Sequence, residues 1–281
     1  MAVSAARMCA IASSTNPAAA AVPGRSSSPP NAMVAMAKRA GFALGSYAAF
    51  KQLDVDAMVI GDLVLLDEEV NPVLSGLFDN GVEISGLHNH LNNMSPHVMY
   101  MHYQGHGDTV QLAQGLHQAL SASNTPLSPA VPPPPAAAPS GPQLDLGLLD
   151  GILGHSGRAN GSVVQYTVAR AETIVENGHQ LWPAMGVATA INFQPTGATT
   201  ASITGDFALT AGEVNAVATA LRANGIDVTA SHQHHLSEQP RLFYVHFWAI
   251  CDPATLAQGL RAALDQTNSA AGQAPVAMVG N

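Results

Sequence analysis

The sequence predicts an α+β fold made of two copies of a βαββα unit, each an antiparallel sheet covered by helices. Three observations predict it: an internal repeat, a strand-and-helix pattern that recurs in both copies, and a Pro/Ala-rich linker between them. Shifting the chain by 144 residues aligns residues 57–120 with residues 201–264 without a gap, and 24 of those 64 positions are identical. Because chance does not produce such a match, the chain contains a duplicated domain.

The first part of the unit follows from the local pattern of the second copy. Residues 201–209 alternate in polarity and are rich in β-forming side chains, which predicts a strand. Thr210 and Glu213 fit a capping box, and the apolar residues after them recur at helical spacing. Asn224-Gly225 is typical of the end of a helix. A strand followed by an amphipathic helix is therefore expected.

The second part of the unit is predicted in the same way. Residues 226–234 and 242–250 are expected to form two strands around a turn at residues 237–240. Asp252 then predicts the cap of a last helix over residues 253–266, with a proline at its first position. The antiparallel hairpin and the helices would pack as one covered sheet in each copy.

Composition divides the chain into five segments. Val131-Pro132-Pro133-Pro134-Pro135 favours an extended conformation that cannot bury a core, which marks a linker. The predicted segments are a disordered or altered N-terminus at 1–40, a first repeat at 41–120, the linker at 121–145, a second repeat with extra N-terminal strands at 146–268, and a flexible tail at 269–281.

Composition also bounds the function classes. A hydrophobic content of 47% supports a buried core, and a net charge of −9 with only ten Lys and Arg residues leaves no basic stripe for nucleic acid. No apolar run is long enough for a transmembrane segment. Cys9 and Cys251 lie in dissimilar contexts, so no disulfide is predicted. The oligomeric state stays unknown at this level.

Two predicted strands of each copy place three histidines at equivalent positions. The six residues are His88, His90 and His102 in the first copy and His232, His234 and His246 in the second. Alternate residues of a strand share a face, so His232 and His234 point the same way. A hairpin that turns near Gln239 pairs His232 with His246, which leaves Tyr244 opposite His234. The three imidazoles are expected to converge once in each half.

Three neutral imidazoles with an open fourth position are typical of catalytic zinc, which predicts Zn(2+) or another divalent metal in each half. In the second copy, Glu238 at the turn is a candidate fourth ligand or a general base acting on metal-bound water. Tyr244 and Arg241 are candidates for stabilising a developing anion. The first copy has Met94 in place of Glu238, so a glutamate-dependent reaction would belong to the second copy.

Alternatives remain open for these residues. Histidines on a sheet face also serve as solvated polar groups or as members of a hydrogen-bond network. Asp62 and Asp206 each follow a glycine inside a strand, which fits either a carboxylate that orients a histidine or a β-bulge at the glycine. Glu69 or Glu213 would be another source of a carboxylate, although a capping role already explains a glutamate at that position.

Several stretches of the chain resemble the LppY/LpqO family of bacterial envelope proteins, a duplicated domain of unknown function. They are Gly61-Asp62-Leu63-Val64-Leu65, Asn80-Gly81-Val82-Glu83-Ile84, His88-Asn89-His90, residues 101–108, residues 183–189 and His232-Gln233-His234. The resemblance covers about residues 41–120 and 161–264. It implies a two-copy architecture and, for many relatives, export to the cell envelope, but no established reaction.

The first copy departs from this family pattern, because Met94 and His97 stand where an acidic residue and an arginine are typical. The segment before residue 41 contains no clear signal peptide, so the resemblance favours an envelope or secreted location while a cytoplasmic one stays an alternative.

Two functions compete at this point. The first is a zinc-dependent hydrolase of small ester or lactone substrates. The second is a non-catalytic module that binds metal or a small envelope ligand, which two similar sites in one chain would suit. Both expect a small-molecule substrate or ligand as the partner.

Overall fold

A computed structural model describes residues 44–92, 94–127 and 143–272. The N-terminus predicted at residues 1–40, most of the predicted linker and most of the predicted tail lie outside these ranges. Every strand pair within them is antiparallel, and five helices accompany the sheets. This arrangement confirms the α+β class.

The first half forms a four-stranded sheet with two helices. Its strands are β1 (Tyr47–Gln52), β2 (Ala57–Leu66), β3 (Glu83–His88) and β4 (Val98–Gly107), in the spatial order β1-β2-β4-β3. The helices are α1 (Asp67–Asp79), between β2 and β3, and α2 (Thr109–Leu120), after β4. Apolar side chains of the helices and of one sheet face form a core that includes Val59, Leu63, Val73, Leu77 and Leu116.

The second half forms a six-stranded sheet with three helices. Its strands are β5 (Arg158–Asn160), β6 (Val163–Ala169), β9 (Ala188–Pro195), β10 (Ala201–Thr210), β11 (Asp227–His232) and β12 (Leu242–Cys251), in the order β11-β12-β10-β9-β6-β5. The helices are α3 (Leu146–Leu153), α4 (Val214–Ala223) and α5 (Pro253–Leu264). Between β6 and β9 lie a small hairpin, β7 (Val175–Glu176) with β8 (His179–Gln180), and a 3₁₀ turn at Pro183–Met185.

The ends of the helices follow the signals in the sequence. The Asp252 side chain accepts a hydrogen bond from the Thr255 backbone N–H at the start of α5, which satisfies one of the free donors of the first turn. The Glu213 carboxylate accepts the Thr210 backbone N–H at 2.7 Å, as in a capping box, but α4 begins later than this signal predicts, at Val214, and no side chain caps it. After α4, Gly225 takes a φ of 71°, the left-handed conformation that glycine adopts without strain.

The two sheets face each other, and the helices cover their outer faces. Along β12, Val245 and Phe247 belong to the core beneath the helices of the second half. Tyr244 and His246 alternate with them and therefore point toward the first half. A further apolar cluster joins Met58 and Ile60 of β2 to residues of the second half, namely Ile174, Leu181, Met185, Val187, Ala208, Leu242 and Tyr244. The halves thus share a core.

The hairpin register differs from the predicted one. His232 pairs with Tyr244, and the partner of His246 is Ala230. The reason is the loop between the strands, residues 233–241, which is longer than the tight turn expected. A bulge between Val228 and Ala230 shifts the pairing by one more residue farther from the loop. Since the register differs by two residues, each side chain stays on the predicted face of the sheet.

The proposed β-bulges at Gly61 and Gly205 are absent, because both glycines lie in continuous ladders with the strands on either side. A Cβ at Gly205 would instead overlap the backbone carbonyl oxygen of Ala190 in β9. A Cβ at Gly61 would overlap the carbonyl oxygen of Tyr47 in β1. The glycines permit a close approach of neighbouring strands.

Cys251 is disulfide-bonded, which corrects the expectation that no disulfide forms. The other cysteine of the chain, Cys9, lies outside the described residues. No helix within the described ranges is long and apolar enough to cross a bilayer.

Candidate metal centre

The six predicted histidines form one cluster between the two sheets. His88 and His232, which are equivalent in the repeat, stack at its centre with ring centroids 3.5 Å apart. The other four imidazoles surround this pair. This geometry corrects the expectation of a separate site in each half, because the histidine-bearing faces of the two sheets are turned toward each other.

The first set within the cluster consists of His88, His90 and His246, so it combines two histidines of the first half with one of the second. Nε2 of His246 lies 3.3 Å from Nε2 of His88. The rings of His246 and His90 lie 4.0 Å apart. One ligating nitrogen from each residue lies within 4.8 Å of the others, close enough to hold a single ion.

We place His102, His232 and His234, the repeat equivalents of the first set, in a second set by their positions in the repeat and not by the 4.8 Å spacing of their nitrogens. Nε2 of His102 lies 3.2 Å from Nε2 of His232, and its ring lies 4.0 Å from that of His234. His88 also approaches His102 and His232, with ligating nitrogens within 4.8 Å of one another. Compared with the predicted triads, His102 and His246 have changed places.

The close nitrogen pairs have the spacing of two ligands on one ion. Zinc binds imidazole nitrogen at about 2.0–2.1 Å, and a tetrahedral arrangement then places two nitrogens roughly 3.3–3.4 Å apart. The observed separations are 3.3 Å for His88 with His246 and 3.2 Å for His102 with His232. Little movement of either pair would be needed to bind an ion.

Backbone carbonyl groups orient two of the rings. Nδ1 of His246 donates to the carbonyl oxygen of Gly205 at 3.0 Å, and Nδ1 of His234 donates to that of Gly186 at 2.8 Å. A proton on Nδ1 leaves the lone pair of a neutral imidazole on Nε2. Such a hydrogen bond is typical of metal-ligating histidines, because it fixes both the tautomer and the ring.

Burial keeps the imidazoles neutral. It lowers the pKa of His88 to about 4 and that of His246 to about 3, where the nearby His88 contributes further. Burial, followed by the neighbouring imidazoles, also lowers the pKa of His90, His102, His232 and His234. The cluster therefore presents uncharged nitrogen ligands at neutral pH, the form that binds metal.

Several nitrogens of the cluster are buried without a hydrogen-bond partner. They are Nδ1 of His88, both ring nitrogens of His90, Nδ1 of His232 and Nε2 of His234. Buried polar atoms in proteins are nearly always paired, because leaving one unpaired costs about 1–3 kcal/mol. One ring nitrogen of His90 and Nε2 of His234 could ligate a cation, whereas the Nδ1 atoms of His88 and His232 are not the atoms of the close Nε2 pairs.

Two buried aspartates lie beside the histidines. Asp62 has its Oδ2 3.9 Å from Nε2 of His90 and its Oδ1 3.8 Å from Nδ1 of His102. Asp206, its repeat equivalent, has Oδ2 3.5 Å from Nε2 of His234. Of the two interpretations offered for the aspartates, the structure supports the one that places them next to the imidazoles.

Burial also shifts the carboxyl groups. It raises the pKa of Asp206 to about 7, against hydrogen bonds from the backbone that lower it. It raises the pKa of Asp62 well above its usual value, and repulsion from the Asp206 carboxylate adds to this. The two carboxylates are thus near enough to influence each other.

A cavity of about 360 Å³ opens beside the cluster. Its charged and ionisable lining consists of His90, His102, His234, His246, Asp62 and Asp206, with Tyr47 at its edge. The second half adds Gln165, Thr167 and Asn192 from β6 and β9. No lysine or arginine is among the described residues of its lining.

None of the three predicted catalytic residues is among the described residues that line the cavity. Glu238 is fully buried and accepts hydrogen bonds from the Leu242 backbone N–H at 2.8 Å and from Arg241 Nη1 at 3.1 Å. Arg241 also donates to the carbonyl oxygen of Leu236. Both residues stabilise the loop between β11 and β12 through these hydrogen bonds, and neither is among the described residues that line the cavity.

Tyr244 packs its ring face against His234, with centroids 3.3 Å apart. Tyr100 covers His90 in the same way, also at 3.3 Å. Each tyrosine ring therefore packs against one face of a histidine ring of the cluster. Glu69 and Glu213 accept backbone N–H groups at the starts of α1 and α4, which is the capping role.

Comparisons with solved structures show only weak likeness. The chain is 12% identical to a trimeric bacterial microcompartment shell protein, PduB, with a TM-score of 0.19 over 77% of this chain and 78% of that one. It is 10% identical to EtuB from Clostridium kluyveri, with a TM-score of 0.20 over 81% and 87%. TM-scores this low do not establish a shared fold.

No curated protein matches the chain. One family profile matches both halves, at residues 27–122 and 148–266, which confirms a duplicated domain of unknown function. The chain therefore belongs to the family described as Domain of Unknown Function (DUF1259).

Proposed function

We propose that this protein binds a divalent transition-metal ion, zinc in the first instance, at the histidine cluster between its halves. The observation that carries the proposal is the convergence of three ligating nitrogens within 4.8 Å, in the groups His88, His90, His246 and His88, His102, His232. The facing Nε2 atoms, at 3.3 Å and 3.2 Å, are at hydrogen-bond distance and also have the spacing of two ligands of one tetrahedral ion. Neutral imidazole suits zinc, copper or nickel, whereas magnesium and calcium take oxygen ligands.

Titration calorimetry of chelator-treated protein with zinc chloride tests this proposal. We expect saturable zinc binding. Substitutions of residues that contact a metal's ligands lower the metal affinity roughly 10–100-fold, and His246→Ala, which removes a ligand, should lower the zinc affinity by more than that. The matched control is His117→Ala, which removes an exposed histidine of α2 and should leave the affinity unchanged. Equal affinities of wild type and His246→Ala, with both folded by near-UV circular dichroism, would refute the proposal.

A zinc-dependent hydrolase is the more specific function that we propose for this site. The supporting observation is the cavity of about 360 Å³, into which histidines and two carboxylates project from both halves. A zinc ion held by three imidazoles keeps a position for water and lowers the pKa of that water. The described residues of the lining include no lysine or arginine to pair with an anionic group, so an uncharged small ester or lactone is the substrate class that we propose.

Within this reaction, Asp206 is the better-placed carboxylate to accept a proton, since it lines the cavity 3.5 Å from Nε2 of His234. Glu238, the base predicted from the sequence, is already bonded to Arg241 and to the backbone of Leu242. Substrate would be oriented by the polar side chains of β6 and β9.

Hydrolysis of an aryl ester and of a small lactone by the zinc-loaded protein tests the reaction. We expect activity that is lost on chelation, restored by zinc, and reduced about 100-fold or more by Asp206→Asn, as for removal of a general base. Glu238→Gln is the matched control and should retain activity. Loss of activity in Glu238→Gln alone would assign the base to the residue predicted from the sequence.

A non-catalytic metal-binding module is the alternative function. It is supported by His88 and His232, which stack at the centre of the cluster and are not among the residues that line the cavity. The resemblance to the LppY/LpqO family would place such a module in the bacterial envelope. Tight zinc binding without hydrolysis of either substrate would favour it.

A further inference from the structure

We infer that the cluster holds two metal ions, one in the first set (His88, His90, His246) and one in the second set (His102, His232, His234), and that each ion joins the two halves. This inference rests on the proposed metal-binding function and adds its stoichiometry and its ligand sets. The predicted triads of the separate halves would each have bound an ion without linking the halves.

The number of ions follows from the close nitrogen pairs. There are two such pairs among the described residues, His88 with His246 and His102 with His232, and they have no residue in common. A tetrahedral ion takes four ligands at most, so one ion cannot use all six imidazoles. Two ions, each with three histidines, account for the whole cluster and leave each ion one open position.

The third ligand of each ion is the histidine whose ring lies 4.0 Å from the pair member that belongs to the other half. The His90 ring stacks 4.0 Å from that of His246, and His90 belongs to the same half as His88. Likewise, the His234 ring lies 4.0 Å from that of His102, and His234 belongs to the same half as His232. Both ring nitrogens of His90 and Nε2 of His234 are buried and without a hydrogen-bond partner. These atoms are therefore available as ligands.

Electrostatic repulsion is the main obstacle to placing two dications so near each other, and two aspartates beside the histidines could reduce it. Asp62 lies beside His90 of the first set and His102 of the second, and Asp206 lies beside His234. Both aspartates are buried. In their ionised form, two carboxylates in this low-dielectric site would offset part of the repulsion between two ions more effectively than exposed charges would.

The loops that carry the third ligands are fixed across the boundary between the halves. The Ser85 hydroxyl donates to the carbonyl oxygen of His234, and the equivalent Thr229 hydroxyl donates to that of His90. A hypothetical Cβ on Gly86 would come within 2.8 Å of the Gln233 carbonyl oxygen, so the backbones approach closely there. These contacts hold the segments that carry His90 and His234 against the opposite half; the first set already has its nitrogens within 4.8 Å of one another, whereas His234 would have to move closer to its pair.

Metal content measured by inductively coupled plasma mass spectrometry tests the inference. Wild type, His90→Ala, His234→Ala and the double variant would be equilibrated with zinc, freed of excess zinc and checked for folding by near-UV circular dichroism. We expect two ions per chain in wild type, one in each single variant and none in the double variant. His117→Ala, which changes an exposed histidine, should retain two.

The possible results separate the inference from the proposed function. One ion in wild type would overturn the two-ion inference and leave the metal-binding proposal intact. A single ion bound near His88, His102 and His232 would give this result. No bound ion would overturn both. Two ions in wild type and in both single variants would show that His90 and His234 are not ligands, which also overturns the assignment.

A spectroscopic measurement tests for neighbouring ions in wild type, with His90→Ala as the comparison. Copper-loaded protein is expected to show an electron paramagnetic resonance signal that is broadened or lost, because two nearby Cu(II) ions couple magnetically. His90→Ala should restore the signal of an isolated ion. An isolated-ion signal from fully loaded wild type would refute a pair of neighbouring ions.

Discussion

Saturating zinc is expected to raise the melting temperature of the chelator-treated protein by roughly 10 °C or more. Ligands drawn from two halves of the chain come together only in the folded state, so the free energy of binding adds to the free energy of unfolding. At a zinc concentration about 1,000 times the dissociation constant, one site contributes about 4 kcal/mol. Each kcal/mol corresponds to about 2–4 °C for a chain of this size class.

Differential scanning calorimetry at several zinc concentrations measures this effect. Magnesium at the same concentration is the control ion and should leave the transition unchanged, since the cluster offers mainly nitrogen ligands. His246→Ala should lose most of the shift, whereas His117→Ala should keep it. A zinc-independent transition in wild type would mean that the cluster does not bind zinc in the folded state.

The sequence was sufficient to predict the parts of the fold that depend on local patterns. The repeat, the alternation along residues 201–209 and the cap at Asp252 are properties of neighbouring residues, and the strands and helices appear where these patterns lie. The histidine positions on the faces were also predictable, because alternate residues of a strand share a face regardless of register. The two-residue error in register therefore left the faces correct.

The exchange of His102 and His246 between the sets was not predictable from either copy alone. It depends on how one sheet packs against the other, and a local pattern carries no information about that packing. One signal pointed to the packing of the two sheets, since Met58, Ile60 and Tyr244 are apolar or aromatic on the same faces as the histidines. A face with both large apolar residues and histidines is expected to be covered, and here each half covers the other.

The choice of carboxylate illustrates a second limit. The sequence favoured Glu238 because of its spacing from His234. In the structure, both oxygens of the Glu238 carboxylate accept local hydrogen bonds, one from Arg241 and one from the Leu242 backbone N–H. Gly-Asp, by contrast, recurs at Gly61-Asp62 and Gly205-Asp206 in the central strand of each copy. Recurrence in both copies was the better signal for the site, and it points to the glycines as well as to the aspartates.

Gly205→Ala is accordingly expected to destabilise the protein by about 3 kcal/mol or more, the upper end of the range for overpacking a core. The added methyl group would overlap the Ala190 carbonyl oxygen and approach the Phe247 ring, so β9 and β10 would have to separate. Separation would also displace the Gly205 carbonyl oxygen that accepts a hydrogen bond from His246. Zinc affinity should therefore fall together with the free energy of unfolding.

Urea denaturation of metal-free and zinc-loaded protein measures both effects, with Gly151→Ala as the matched control. Gly151 is exposed in α3 with no atom near its hypothetical Cβ, so alanine there should leave zinc affinity unchanged and stabilise the helix by up to about 1 kcal/mol. Unimpaired stability of Gly205→Ala would mean that β9 lies farther from β10 than described. Lost stability with normal zinc affinity would mean that the strand approach supports the fold but does not position His246.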